Sequence, residues 1–466
     1  MQIRSAFSPP LDPGFVPASL WNRAYRERCA ADPGTHPLAI ALERTDGTIS
    51  RFNTRVLPHD GANVSLNTTY VERLLKALLW ARGGWRVIVS GNDAIAATLR
   101  GIYAPEGERK FDWEFMGRRV YGRDLVVESR ALHDMPAAHE ISVPLGRNLD
   151  GCRIGFDLGG SDRKCAAVID GKVVFSEEVP WDPYFQSDPQ YHVDGIQDSL
   201  QRAAAYLPRV DAIGGSAAGV YVNNEVRVAS LFRGVSPGQF EARVRRIFLE
   251  LQKAWGGVPF EVVNDGEVTA LAGSMSLETN RVLGISMGTS VAGGYVNAEG
   301  SIAPWLNELA FVPVDYREKG PLDEWSGDRG CAVQYFCQQG VARLAPLAGL
   351  EFPAEMKFAE RLVEVQQLMA AGDERARRIY ETIGVCFGYA IAHLADLYDF
   401  GTLLILGRVT SGEGGAIVLD KAREVLAAEF PALAAGLQLR TPDEKDKRHG
   451  QAVAAASLPA LPKRQR

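Results

Sequence analysis

The sequence predicts an α/β protein of two similar lobes, preceded by an N-terminal α/β extension over residues 1–150. Three observations carry this reading. A hairpin followed by alternating strands and helices is given twice, the pattern of a layered α/β chain. Two turns of the form strand–glycine turn–strand, at Gly159 and Gly288, suggest facing loops that grip one ligand. A length of 466 residues, at roughly 150 per domain, leaves room for about three units. The expected division is residues 1–150, then 151–275 together with a terminal helix at 445–460, then 276–444.

Composition narrows the class. With 46% hydrophobic and 23% charged residues the chain resembles ordinary globular proteins, which excludes wholesale disorder, collagen and coiled coil. A net charge of −6 argues against a nucleic-acid binder, which needs a concentrated basic surface. No apolar run is long enough to span a bilayer. The opening MQIRSAFSPPLDPGF lacks the apolar centre of a signal peptide. Six scattered cysteines with no CxxC pair fit reduced thiols. A cytoplasmic protein with no nucleic-acid or membrane partner is expected.

The elements follow in order. The first 35 residues, rich in Pro and Arg, read as an irregular arm. PLAIALERTDGTISRFNTRVL (37–57) alternates around Asp46-Gly47, a hairpin signal. Val71, Leu74, Leu75, Leu78 and Leu79 recur at helical spacing within 68–84, and Gly83-Gly84 stops that helix. WRVIVSG (85–91) is a short strand, and Asn92 or Asp93 can cap a helix over 93–103. Two helices parted by a strand make no helix-turn-helix. Residues 105–150 read as further strands and a linker. The order over 38–91 echoes that over 153–215, as if the extension copied the start of a lobe. After Cys152 come the strand CRIGFDLGG, a hairpin around Asp170-Gly171, a helix at 194–206 and the strand VDAIGGS. Further strands fit 260–265, 282–288, 292–298 and 402–407. The long helix at 375–399 carries Ile383, Phe387, Ala390, Ile391 and Leu394 as a core stripe.

Four places carry chemistry. Asp157-Leu158-Gly159-Gly160-Ser161 offers backbone N–H groups to an anion and a carboxylate to hydrated Mg²⁺; the plainer alternative is a hairpin turn. Gly288-Thr289-Ser290, followed by Gly293-Gly294, is a second such turn. Asn264-Asp265 ends one strand and opens a helix, so Asp265 can act as general base to an attacking hydroxyl or merely cap the helix. LLILGRVTSGEGGAIVL (403–419) is a strand, a glycine-rich turn and a helix, suited to a flat nucleobase or simply capping a helix.

That order resembles the sugar kinase and actin-like ATPase superfamily and, within it, the ROK family of sugar kinases and related repressors. FDLGGSDRK (156–164) is similar to the family's DxGGTxxK loop, with Ser161 for Thr and Lys164 in place. IGGSAAGVYV (213–222) is similar to its sugar-side turn, NDGEVTALAG (264–273) to NDANAAALGE, GTSVAGG (288–294) to GTGIGGG, and LGRVTSGEGG (406–415) to the adenosine segment. HGQAVAAASLP (449–459) is similar to the terminal helix. The resemblance covers about 152–460. It implies a two-lobed actin-like ATPase (ribonuclease H-like) fold and an ATP- and Mg²⁺-dependent kinase acting on a sugar or polyol hydroxyl, dimeric as many relatives are. In that scheme Asp265 is the catalytic base. Asn264, Glu308 and Gly219 bind substrate, and Asp157 holds Mg²⁺ through water. Gly159, Gly160, Ser161, Lys164, Gly288, Thr289 and Ser290 serve the phosphates, and Gly407 and Gly412 the adenosine.

Departures matter too. The family's GExGH His is replaced by Phe311, and in EWSGDRGCAVQYF (324–336) Glu324 and Ser326 stand for two of the zinc cysteines. Only Cys331 remains, so no structural zinc is expected. Arg408 replaces an adenosine-segment glycine and can stack on the base or crowd it. A non-catalytic sugar or nucleotide sensor is the alternative reading. The loop 181–194 reads as a lid or a solvated loop, and His192 and Arg233 as surface residues.

Overall fold

The structure, a computed structural model, describes residues 1, 3–140, 144–441 and 444–462, the last stretch without the side chains of 444–449. In the N-terminal unit, β1 (His36–Glu43) and β2 (Ile49–Val56) form the hairpin expected around Asp46-Gly47. With β3 (Arg86–Ser90) and β4 (Val126–Arg130) they make a sheet of order β2-β1-β3-β4. The helix Asn63–Arg82 covers it. At the next helix, Asp93–Ile102, Asn92 is the cap, accepting from the Ile95 N–H.

Two expectations for this unit fail. The supposed irregular arm contains a helix, Ala18–Ala31, whose Ala18, Trp21, Tyr25 and Cys29 bury one face. The described residues of 105–150 hold one strand; Lys110–Tyr121 is helical instead, because Phe111, Phe115, Met116 and Val120 recur at helical spacing against the apolar core. The echo of a lobe is also absent. β1 pairs antiparallel with β3, whereas the matching strands of both lobes pair parallel. Here one hairpin and a single helix lead into β3, and the chain returns in the opposite sense.

In the first lobe, β5 (Cys152–Leu158), β6 (Asp162–Ile169) and β7 (Lys172–Pro180) are antiparallel, the β6–β7 turn using positive φ at Asp170 and Gly171. β8 (Ala212–Ala217) adds parallel to β5, a small hairpin β9 (Val220–Val222) and β10 (Glu225–Val228) follows, and β11 (Phe260–Asn264) adds parallel to β8. The order is β11-β8-β5-β6-β7. The second lobe repeats the scheme with one antiparallel strand fewer: β12 (Val282–Met287) pairs antiparallel with β13 (Val291–Val296) and parallel with β14 (Thr402–Leu406), which β15 (Gln438–Arg440) follows. This is the two-lobed actin-like ATPase fold, with its ribonuclease H-like sheets. Between the lobes, the helices Asp265–Ser276 and Glu444–Ala456 pack together, burying Val268, Leu271 and Ala454 against Val282 and Leu404.

The apolar cores divide unevenly. The first lobe has its own, around Phe156, Phe248 and Phe260. The N-terminal unit and the second lobe share one: Trp80 lies 4.2 Å from Phe311, and Phe15 lies 5.4 Å from Tyr335, ring to ring. The stripe from Ile383 to Leu394 is buried in the same core. Among the described residues, no helix is long and apolar enough to cross a membrane.

A shared core makes the N-terminal unit and second lobe unfold together. Trp80→Ala, which empties the junction, is expected to cost ~3–5 kcal/mol, read as a lower urea midpoint by both tryptophan fluorescence and far-UV circular dichroism. Separate transitions for the two probes would show the units to be independent.

Candidate functional site

Four carboxyl groups meet where the lobes face each other. Asp157 is the last but one residue of β5; its Oδ1 accepts from Ser216 Oγ at 2.8 Å, and Lys164 Nζ stands 3.7 Å from Oδ2. Asp265 opens the helix after β11, with Asn264 as its cap: Asn264 Oδ1 accepts from the Gly266 N–H at 2.7 Å, and Glu267 closes a capping box. Asn264 Nδ2 also donates to the Gly219 carbonyl at 2.7 Å, fixing the turn after β8. The cap is thus Asn264 and not Asp265, whose carboxyl accepts local N–H groups, that of Gly266 at 3.0 Å among them. Burial and the nearby Asp157 charge raise the Asp265 pKa to about 6. Glu308, half-buried, is raised to about 7 by desolvation and the nearby Asp265 charge. Glu267, buried deeper, is raised to about 8. Burial lifts Asp157 as well.

Glu308 owes its place to the N-terminal unit. The last carbonyls of a helix have no partner within it. Here the carbonyl of Ala81 accepts from the Asn307 N–H at 2.9 Å, and that of Trp80 from the Glu308 N–H at 3.1 Å. Asn307 adopts φ 53°, a conformation that glycine or asparagine tolerates. Its side chain donates to Glu267 at 3.3 Å and accepts from Tyr398 at 3.0 Å. At the end of the helix, Gly83 has φ 73°, and the Tyr121 hydroxyl stands 2.2 Å from where a Cβ would be, so no other residue fits. Sequence reasoning missed Asn307, Trp80 and Ala81; only the positive φ demanded at 307 left a trace, an Asn where the resemblance has Gly.

The residues that the resemblance aligns with a zinc frame are held by other contacts. Phe311, in place of His, packs with Trp80, Phe111 and Trp325. Below it Asp328 accepts from Arg73 at 3.0 Å, Arg109 at 2.7 Å and Lys76 at 3.0 Å; Lys76 also meets Asp112, and Arg109 meets Glu72. These six buried side chains balance three cations with three anions. Cys331 donates to Asp328 across 3.7 Å, and burial pushes its thiol well up.

The glycine turns differ in accessibility. Thr289 and Ser290 are exposed, and nothing stands within 4 Å of a Cβ built at Gly288. The first turn is partly covered. Trp181 Nε1 donates to the Gly159 carbonyl at 2.8 Å, and the Tyr184 hydroxyl lies 2.0 Å from a Cβ built at Gly160. Ser161 remains exposed. The covering loop is anchored by His192, which is buried rather than on the surface: its Nε2 lies 3.1 Å from the Pro183 carbonyl and 3.0 Å from that of Leu231. It belongs to a helix, Pro189–Ala204, that starts earlier than expected because Asp188 caps it. Arg233 is exposed, its guanidinium 4.0 Å from the Tyr184 ring and 4.9 Å from Phe185.

Two cavities adjoin these groups. One of 360 Å³ is lined by Leu406, Gly407, Thr410, Gly412, Gly415 and Leu419 among others. Gly407 has φ 105° and lies against the Met287 backbone, joining this cavity to the second turn. Arg408 is exposed and does not line it, so it neither fills nor crowds that space. The other, of 320 Å³, borders Gly219 and Asn264. A nucleotide fits this arrangement: a neutral cavity for the base, an open turn for phosphates, and an Asp157 carboxylate suited to Mg²⁺, which binds through few carboxylates plus water and phosphate.

Comparison with solved structures supports the fold. A ROK hexokinase from Thermus thermophilus superposes with a TM-score of 0.52 at 20% identity, over 66% of this chain and 96% of that one. A ROK-family transcriptional regulator, a homologue of the Escherichia coli Mlc protein, superposes with a TM-score of 0.50 at 20% identity, over 66% of this chain and 78% of its own. The chain shares their fold. No protein-family model and no curated protein matches the sequence. About a third of this chain has no counterpart in either structure.

Asp265 is held against its own preference. A carboxyl with a native pKa near 6 and an ordinary value near 3.9 when unfolded binds more protons folded than unfolded, so its ionisation destabilises the fold as pH rises from about 4 to 6. Asp265→Asn is therefore expected to raise the melting temperature at pH 8, the gain shrinking toward pH 4. A melting temperature unchanged at pH 8 would show that Asp265 bears no such strain.

Proposed function

We propose that this protein is an ATP- and Mg²⁺-dependent kinase that phosphorylates a hydroxyl of a sugar or sugar-like molecule. The observation that carries it is Asp265: a carboxyl freed from capping by Asn264, raised to about 6 by burial and Asp157, and set between two glycine turns. A base of that pKa is ionised at neutral pH yet basic enough to accept a hydroxyl proton as the oxygen attacks. Glu308, facing it, orients the acceptor through a neighbouring hydroxyl, and the Asn264–Gly219 contact shapes the floor beside it. Asp157, held by Ser216 and Lys164, is the residue to hold Mg²⁺ through water; the ion supplies charge neutralisation on the phosphates. The turns at Gly159–Ser161 and Gly288–Ser290 offer N–H groups to the phosphates, and Gly407 and Gly412 flank the base. Approach of the lobes excludes water and so limits hydrolysis of ATP.

The fold also carries a regulator, but a DNA-reading role is not supported. The helices Asn63–Arg82 and Asp93–Ile102 are parted by β3, and the first is buried along most of its length. The other reading, a sensor that binds without turnover, is favoured by Tyr184 lying over Gly160.

Phosphate transfer from ATP to a panel of sugars and polyols separates kinase from sensor; nucleotide binding with no transfer to any of them selects the sensor. On an accepted substrate, Asp265→Asn is expected to lower kcat by ~10²–10⁴-fold with ATP affinity little changed, and near wild-type turnover would remove Asp265 as base. Because the active form is ionised, kcat/KM should fall as pH drops through about 6, one proton deep. A flat profile from pH 7.5 to 5 would contradict the assignment.

A further inference from the structure

The 320 Å³ cavity is built by all three parts of the chain: Thr45, Asp46 and Tyr121 from the N-terminal unit, Gly219 and Asn264 from the first lobe, and Leu306 from the second. It lies at the low end of the size range of ligand pockets, ~300–1,000 Å³. Val120, Val220, Ile302 and Pro304 give it an apolar body, and Glu261, Asn224 and Glu267 add hydrogen-bonding groups. Its one guanidinium, that of Arg44, is committed elsewhere, donating to Thr48, Ser50, the Arg82 carbonyl and Glu140. Among the described lining residues no cation is left to meet an anion. A neutral, hydroxyl-bearing occupant matches this lining.

The position of the cavity says which molecule that is. Asp265 and Glu308 do not line it, whereas Asn264, next to Asp265, and Leu306, two residues before Glu308, do. A single sugar ring held at Asp265 and Glu308 leaves the cavity vacant. A molecule with a second part reaches both. We infer that the cavity is a subsite for the remainder of an acceptor larger than one ring, a neutral glycoside or disaccharide, with the N-terminal unit as its selector. The inference rests on the kinase reading for the reacting end, but the cavity itself can be tested without turnover.

The probes are glucose, maltose, cellobiose and 4-nitrophenyl β-glucoside, each measured for phosphate transfer from ATP and, by calorimetry, for binding to the full chain. Thr45 sits in the β1–β2 turn, where Thr45→Leu and Thr45→Trp narrow the cavity in steps, and thermal unfolding checks that each variant folds. The wild type is expected to favour at least one of the larger probes over glucose by about tenfold or more in kcat/KM, and the ratio should fall stepwise toward one from Leu to Trp. Transfer to glucose with no preference for any larger probe overturns the subsite and leaves the kinase standing. Binding of a larger probe that weakens across the Thr45 series, without transfer to any sugar, keeps the subsite and removes the kinase. A preference that the Thr45 series leaves intact overturns the subsite, as does a failure of every larger probe both to bind and to react.

Discussion

The end of one helix fixes the geometry of the cleft. The carbonyls of Trp80 and Ala81, orphaned at the C-terminus of Asn63–Arg82, accept the N–H groups of Glu308 and Asn307. The helix can offer them only because the rest of it is anchored: Trp80 among aromatic rings of both units, Lys76 and Arg73 in a buried ion cluster centred on Asp328. Such a cluster contributes little stability by itself, since desolvating six charges offsets most of their attraction. Its effect is registry. Removing any one partner leaves a buried charge uncompensated, so the helix has one acceptable position, and Glu308 inherits it.

That position creates electrostatic tension. Glu308, Glu267, Asp157 and Asp265 occupy one region, and Lys164 is the cation beside Asp157. Burial pushes all four carboxyls upward, repulsion from one another adds to it for Asp265, Glu267 and Glu308, and the fold holds them together through contacts elsewhere: the Asn264 cap, the Asn307 bridge and the shared core. Such stored cost is expected at sites that act on ligands rather than at sites that only hold a fold together. It also distinguishes the members. Glu267 accepts from the Asn264 N–H and from Asn307, a structural engagement, whereas Asp265 keeps its carboxyl largely unspent.

Much of this was legible in the sequence, for local reasons. The glycine turns, the Asn264-Asp265 strand end and the Asp-Gly hairpins are short-range signals, in which residue type sets backbone conformation directly. The stripe on the Glu374–Ala395 helix is likewise periodic. What escaped notice depends on distant partners. His192 reads as a loop residue until the carbonyls of Pro183 and Leu231 are seen to close on it. Trp21 and Tyr25 look like part of a Pro- and Arg-rich arm until they are seen to pack against the helix and core of their own unit. The false echo of a lobe is instructive as well. Hairpin, helix and strand were in the right order, but order does not give direction, which turns on every reversal the chain makes between the first strand and its return.

The segment 311–331, the frame in which the resemblance would place zinc ligands, is held by other means. Here Phe311 and Trp325 enter an aromatic cluster with Trp80 and Phe111, while Asp328 gathers three cations from the N-terminal unit. The frame is thus gripped from outside by a separate structural unit. A grip of that kind has a consequence that an internal clamp lacks. Because the same unit also supplies Tyr121 and the β1–β2 turn to the cavity beside Asn264, whatever orders the frame also shapes the space next to the site. The N-terminal unit cannot change its docking without altering both Glu308 and that cavity, so selection of a ligand and support of the site are tied to one interface.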